Sequence, residues 1–139
     1  MKIKYTQDLI GFMRLFDNAI KVKLRDCFID NQGKLTFVVD NEDIGKAIGK
    51  NASNIKLLES KFKKKIRMLA YHSDKKEFIK NLIYPVKSEE INEEEGIITI
   101  KPINRESRGL LIGRNAANLR NMEAIAKRYF DIKEIKVTD

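Results

Sequence analysis

Residues 42–59 read EDIGKAIGKNASNIKLLE, and residues 106–123, which lie 64 positions further on, read ESRGLLIGRNAANLRNME. Eight of the 18 positions are identical in the two stretches. The identical pairs are Glu42/Glu106, Gly45/Gly109, Ile48/Ile112, Gly49/Gly113, Asn51/Asn115, Ala52/Ala116, Asn54/Asn118 and Glu59/Glu123. A repeat at a fixed offset predicts two copies of one folding unit, and function is best sought in what the copies share.

The length of the chain suits two small units. It has 139 residues, of which 42% are hydrophobic and 35% charged, so we expect a folded protein with a heavily charged surface. Two units of roughly 70 residues would each be near the lower size limit for a self-sufficient core. We therefore expect the units to pack together as one rigid unit. A single cysteine, Cys27, excludes a disulfide framework within the chain and fits a reducing compartment.

The positive charge is concentrated around the first repeat. The net charge is +8, and residues 1–70 hold 15 basic and 8 acidic side chains. Eight basic residues and one acid, Glu59, lie between Lys46 and Arg67. Such a local field suits a polyanion such as nucleic acid. The alternative is a solvated, lysine-rich surface of the kind common in proteins from hot environments.

Hydrophobic periodicity predicts the same order of elements in each unit: helix, strand, strand, short helix, turn, longer helix, strand. In the first unit, Thr6 caps the first helix, strands cover 22–29 and 34–39 around a turn at 31–33, helices cover 42–48 and 52 or 53 to 62, and a strand covers 65–70. In the second, a helix capped by Ser73 or Asp74 ends before Pro85, strands cover 86–91 and 97–100, helices cover 105–112 and 117–130, and a strand covers 134–137. The fold class is α+β, with domains at 1–72 and 73–139.

The repeated turn carries the candidate binding chemistry. It follows a short helix and precedes a longer one, whose first N–H groups and positive dipole end attract phosphate. The leading glycine lets a sugar-phosphate backbone come close, the basic residue is aimed at phosphate oxygens, and asparagine tolerates unusual backbone angles. The candidate RNA-binding residues are Gly49, Lys50, Asn51, Ala52 and Lys56, and Gly113, Arg114, Asn115, Ala116 and Arg120.

Other readings of these segments stay open. The turn could be an ordinary helix connection with a glycine at the C-cap, although two copies with basic residues in register favour phosphate binding. Ile48 and Ile112 could be core residues or the floor of a base-binding groove. The acidic run at Glu93, Glu94 and Glu95 is interpreted as a solvated hairpin tip pointing away from RNA.

The motif resembles the I-G-x-x-G-x-x-I signature of KH domains, carried here by Ile48-Gly49-Lys50-Asn51-Ala52-Ser53-Asn54-Ile55 and by Ile112-Gly113-Arg114-Asn115-Ala116-Ala117-Asn118-Leu119. The helix-first order resembles the type II form. Two such units in tandem are similar to the archaeal NusA family of transcription termination and antitermination factors. Leu24-Arg25-Asp26-Cys27, Glu77-Phe78-Ile79-Lys80-Asn81 and Arg108-Gly109-Leu110-Leu111-Ile112-Gly113 also match that family.

This resemblance implies single-stranded RNA clamped by its backbone at each turn, with RNA polymerase as a further partner. We also expect a cytoplasmic, monomeric protein without cofactor, metal site or catalytic residues. Ala52 and Ala116 depart from the pattern, since KH domains usually have a second glycine there. A methyl group would hold the backbone farther from RNA. Because we expect this position to begin a helix, alanine should also stabilise that helix by up to roughly 1 kcal/mol relative to glycine.

Three other functions compete with this one. A nuclease would need convergent carboxylates around a metal, and the acids here are scattered or clustered at one predicted hairpin. The turn is not a P-loop, because no Gly-Lys-Ser/Thr follows it. A protein-docking module with weakened RNA binding, or a KH protein of ribosome assembly or RNA processing, fits the same residues. No apolar stretch of 18 residues predicts a membrane span.

Overall fold

The computed structural model describes residues 5–139, and the chain divides into two compact units between Tyr71 and His72. Unit 1 has helices α1 (Gln7–Ala19), α2 (Ile44–Ile48) and α3 (Ser53–Phe62) and strands β1 (Leu24–Ile29), β2 (Leu35–Asp40) and β3 (Ile66–Tyr71). Unit 2 has helices α4 (Lys75–Ile83), α5 (Arg105–Ile112) and α6 (Ala117–Tyr129) and strands β4 (Ser88–Glu94), β5 (Ile97–Pro102) and β6 (Glu134–Val137).

The predicted α+β class and element order are confirmed in both units. Thr6 accepts a hydrogen bond from the Leu9 N–H at the start of α1, and Asp74, rather than Ser73, caps α4 through the Lys76 N–H. The domain bounds 1–72 and 73–139 stay predictions, as does the packing of the two units into one rigid body.

Each unit contains one three-stranded sheet of the same topology. In unit 1, β2 is central, antiparallel to β1 and parallel to β3. In unit 2, β5 is central, antiparallel to β4 and parallel to β6. The antiparallel pairing is interrupted near the start of β1 and of β4, between residues 24 and 26 and between 88 and 90. The repeat therefore extends beyond the motif to the irregularities of the backbone.

The core of each unit joins its first helix to its sheet. In unit 1 the rings of Phe16 on α1 and Phe37 on β2 stack with their centroids 4.8 Å apart. In unit 2 Phe78 on α4 contacts Tyr129 at the end of α6, with centroids 5.4 Å apart. Cys27 is fully buried on β1. The short and longer helices also pack on the sheet of their own unit, α2 and α3 against β3, and α5 and α6 against β6.

The acidic hairpin differs from its prediction. β4 runs from Ser88 to Glu94, so Glu93 and Glu94 belong to the strand and the turn is the pair Glu95-Gly96. Both turn residues have positive φ, 51° and 83°, as a tight two-residue hairpin requires. Ile91 is the one buried residue of β4, and the glutamates are exposed. Backbone pairing with β5, which does not depend on side-chain polarity, makes this polar run a strand rather than a loop.

Candidate nucleic-acid interface

Each repeated turn begins at a glycine with a positive φ. Gly49 has φ 79° and ψ 167°, and Gly113 has φ 73° and ψ 176°. A side chain is disfavoured at these angles, and it would also collide with the following helix. A Cβ on Gly49 would lie 2.6 Å from the Ser53 Oγ, and one on Gly113 would lie 2.6 Å from the Asn118 Cγ. Both glycines are therefore required by the turn itself, whether or not a ligand is bound.

The identical asparagines of the repeat close the turn. The Nδ2 of Asn54 donates a hydrogen bond of 3.0 Å to the Lys46 carbonyl oxygen, and the Nδ2 of Asn118 donates one of 2.8 Å to the Leu110 carbonyl oxygen. Each bond ties the longer helix to the last turn of the short helix before it. Sequence reasoning noted the identity of these asparagines without assigning them a role.

Two consecutive residues of each turn lie in the left-handed region. Asn51 and Asn115 have φ 55°, in agreement with the expectation that asparagine tolerates unusual angles here. Ala52 and Ala116 follow with φ 59° and 60°. The expectation that alanine at this position begins the helix and stabilises it is wrong, since α3 begins at Ser53 and the alanine before it is left-handed. Alanine is strained at these angles and glycine is not.

The longer helices start without a side-chain cap. At α3 and α6 the preceding residues are Ala52 and Ala116, which have no side-chain hydrogen-bonding group. In contrast, α1, α4 and α5 are each capped by a side-chain oxygen. The Ser53 and Ala117 N–H groups already donate to the Lys50 and Arg114 carbonyl oxygens. The N–H groups that follow them in the first helical turn, together with the helix dipole, form an anion-binding end. This end directly follows the glycine turn in both units.

The basic side chains of the candidate site are exposed. Lys50 and Arg114 lie at the surface of the turns, and Lys56 and Arg120 lie further along the longer helices. Arg120 is 3.5 Å from Glu123, whereas Lys56 forms no ion pair within residues 5–139. Each unit thus places a cation beside a helix end that has no side-chain cap. Of the two cations further along the longer helices, Arg120 lies beside a carboxylate, whereas Lys56 has no ion-pair partner within residues 5–139.

The short helices leave the approach to the turns open. Gly45 and Gly109 lie in α2 and α5, and a Cβ added at either would meet no atom within 4 Å. Glycine inside a helix lowers the stability of that helix by about 1 kcal/mol relative to alanine. No contact among the described residues explains why glycine stands at these two positions. Ile48 and Ile112 are half-buried, so neither the core reading nor the groove-floor reading is excluded for them.

A second identical pair of the repeat, Glu59 and Glu123, connects the longer helix of each unit to its sheet. The Oε2 of Glu59 accepts a hydrogen bond of 3.2 Å from the Ile66 N–H, and the Oε2 of Glu123 accepts one of 2.9 Å from the Ile135 N–H. Each carboxylate thereby joins the longer helix to the last strand of its unit. The identity of Glu59 and Glu123 in the repeat was the available signal for this role.

One member of the predicted basic cluster, Arg67 on β3, is half-buried rather than exposed. Burial lowers the pKa of its guanidinium, and the nearby Asp30 carboxylate raises that pKa. Within residues 5–139, no three His, Cys, Asp or Glu side chains are grouped so as to hold a metal ion. No helix of this part of the chain has the length and apolar character needed to cross a bilayer.

Comparisons with known proteins agree with this geometry. The KH domain family model matches residues 15–91. A protein of Methanocaldococcus jannaschii named probable transcription termination protein NusA is 30% identical over 98% of this chain and 75% of its own length. Its namesake in Methanococcus vannielii is 33% identical over 99% of this chain and 80% of its own length.

A solved structure shows the same fold. The crystal structure of APE1850 matches with a TM-score of 0.77 and 27% identity, covering 96% of this chain and all of that one. The family match, the two relatives and the duplicated glycine turn lead to one conclusion. The chain belongs to the KH domain family and, within it, to the NusA-like proteins of archaea.

Proposed function

We propose that this protein is a non-catalytic RNA-binding factor that binds single-stranded RNA at both turns and acts on the nascent transcript beside RNA polymerase, in transcription termination or antitermination. The observation that carries the proposal is the duplicated turn, where a positive-φ glycine, an exposed cation and an uncapped helix end occur together twice. The names of the relatives supply the link to termination.

The chemistry of each turn suits a phosphodiester backbone rather than a base. Lys50 or Arg114 provides the charge, and the backbone N–H groups at the start of α3 or α6 provide hydrogen-bond donors. Gly45 and Gly109 have no side chain, so an RNA strand that crosses α2 or α5 at these positions meets bare backbone. A KH turn holds about four nucleotides, so the two turns together require on the order of eight to ten.

The test is a charge reversal at each turn. Lys50→Asp and Arg114→Asp place an acid where phosphate is expected, and each should weaken binding of a labelled 12-nucleotide oligouridine at least tenfold in fluorescence anisotropy. Because both side chains are exposed, each substitution should change the free energy of unfolding by only about half a kcal/mol. Lys87→Asp reverses an exposed lysine outside the turns and is the matched control. Unchanged affinity in both turn variants would remove the RNA-clamp assignment.

Salt dependence gives an independent test. Backbone contacts release counterions, so affinity for the oligouridine should fall about a hundredfold or more between 50 and 200 mM salt. Tight binding to duplex RNA that salt does not affect would contradict the proposal.

A protein-docking module with weakened RNA binding is the second candidate, favoured by the methyl groups of Ala52 and Ala116 where KH domains usually have a second glycine. Ala52→Gly and Ala116→Gly discriminate, because removing the methyls should tighten RNA binding if they limit it.

Co-purification from native extract separates the cellular roles. RNA polymerase in the eluate supports the transcription role, and ribosomal particles would support ribosome assembly instead.

A further inference from the structure

Four exposed lysines lie together at the end of unit 1 where α3 ends. Lys63, Lys64 and Lys65 form the turn between α3 and β3, and Lys34 precedes β2. The Leu35 N–H donates a hydrogen bond of 3.0 Å to the Lys65 carbonyl oxygen, which places the two segments side by side. We call these four residues the basic corner.

The charges of the basic corner are not neutralised from within. None of its four lysines forms an ion pair in the described part of the chain. An open depression of about 310 Å³ is lined by Lys63, Lys64, Lys65 and Glu59. Glu59, whose carboxylate accepts the Ile66 N–H, also lines this depression, so lysines outnumber the acid there by three to one.

The corresponding corner of unit 2 has the opposite charge. There the Lys133 N–H donates a 2.7 Å hydrogen bond to the Gly96 carbonyl oxygen, so the turn after α6 lies against the β4–β5 hairpin. This corner carries three exposed acids, Glu94, Glu95 and Asp131, and one exposed base, Lys133, so its balance is negative. The same fold therefore tolerates either sign of charge at this place, and no structural requirement accounts for four lysines in unit 1.

A path of exposed cations joins the basic corner to the turn of unit 1. The ten residues of α3 span about 15 Å from one to the other. Lys56 is exposed on that helix between Lys50 and the corner, and it forms no ion pair within residues 5–139. On α6 the equivalent stretch differs, because Glu123 lies within 4 Å of both Arg120 and Lys127, at 3.5 and 3.8 Å.

From this asymmetry we infer that the basic corner is a second contact for the phosphate backbone of the RNA held at the unit 1 turn, whereas unit 2 holds RNA at its turn alone. The inference rests on the proposed function. Lysine on a flexible stem is a point charge suited to phosphate contacts that do not read sequence. Protein–protein interfaces are depleted of lysine, so a surface of lysines alone favours nucleic acid over a protein partner.

The experiment compares two lengths of RNA. The variant Lys63→Gln/Lys64→Gln/Lys65→Gln removes three charges from the corner, and Lys87→Gln/Lys133→Gln/Lys136→Gln removes three exposed charges from unit 2 as the matched control. With a 12-nucleotide oligouridine, we expect the corner variant to bind about tenfold or more weakly than the wild type. The slope of log affinity against log salt should fall by about 2, or ~0.7 for each lost contact. With a five-nucleotide oligouridine, which a turn alone can hold, affinity should stay within twofold.

The outcomes separate this inference from the proposed function. An equal loss in the control variant, or an equal loss with the short RNA, would show a general charge effect and overturn the inference. If the corner variant keeps its affinity and salt slope but no longer retains RNA polymerase in co-purification, the corner is a protein-docking surface and the inference is wrong. Failure of the wild type to bind either RNA would remove the proposed function as well. Lys64→Gln alone, expected to lower the slope by about 0.7, replaces the triple variant if that variant does not fold.

Discussion

The left-handed alanines make a prediction about stability that reverses the one from sequence. Ala52 and Ala116 have φ 59° and 60°, where a side chain costs about 1–2 kcal/mol per residue. Glycine avoids this cost, although its greater freedom in the unfolded chain takes back about 0.4–1 kcal/mol. We therefore expect Ala52→Gly and Ala116→Gly each to raise the free energy of unfolding by roughly 0.5–1 kcal/mol. The two sites lie in different units, so the double variant should gain about 1–2 kcal/mol.

Urea denaturation followed by circular dichroism measures this gain, with the midpoint rising and the slope of the transition unchanged. Ala124→Gly is the matched control. Ala124 is exposed to solvent in the middle of α6, where replacing alanine by glycine should lower the free energy of unfolding by about 1 kcal/mol. The same chemical change thus has opposite signs just before α6 and inside it. If Ala116→Gly destabilises as much as Ala124→Gly, the residue behaves as helical and the left-handed turn is refuted.

Substitutions at three further positions test the site. Gly113→Ala should destabilise the protein by more than ~1 kcal/mol, because the new methyl meets the Asn118 side chain at 2.6 Å and a positive φ; a neutral effect in thermal melts would mean that the turn relaxes freely. Glu123→Ala should cost about 1–3 kcal/mol by leaving the Ile135 N–H without its acceptor, while Glu123→Gln should restore most of that stability; equal melting temperatures for the two variants would contradict this role. Gly109→Ala should raise the free energy of unfolding by up to about 1 kcal/mol and weaken oligouridine binding; unchanged binding would place the RNA elsewhere.

Much of each unit could be predicted because its signals are local. Helical spacing along α1, a capping threonine before it and the turn residues between β1 and β2 all act over a few positions. The Asp30 carboxylate accepts hydrogen bonds from the Gln32 and Lys34 N–H groups, and Gly33 has φ 82°, so that hairpin is determined within five residues. The candidate turn was found by the same kind of signal, strengthened by its second copy.

The sequence by itself determined the duplication, the α+β order of elements and the residues of the repeated turn, since periodicity and turn chemistry depend on neighbours in the chain. Only the tertiary structure decided what those residues do. The bond from Asn118 to the Leu110 carbonyl spans eight positions, and that from Glu123 to the Ile135 N–H spans twelve. The left-handed angle of Ala116 follows from the way α5 and α6 meet, which no local preference of alanine would predict. Contacts between elements impose such conformations, and a one-dimensional pattern does not record which elements meet.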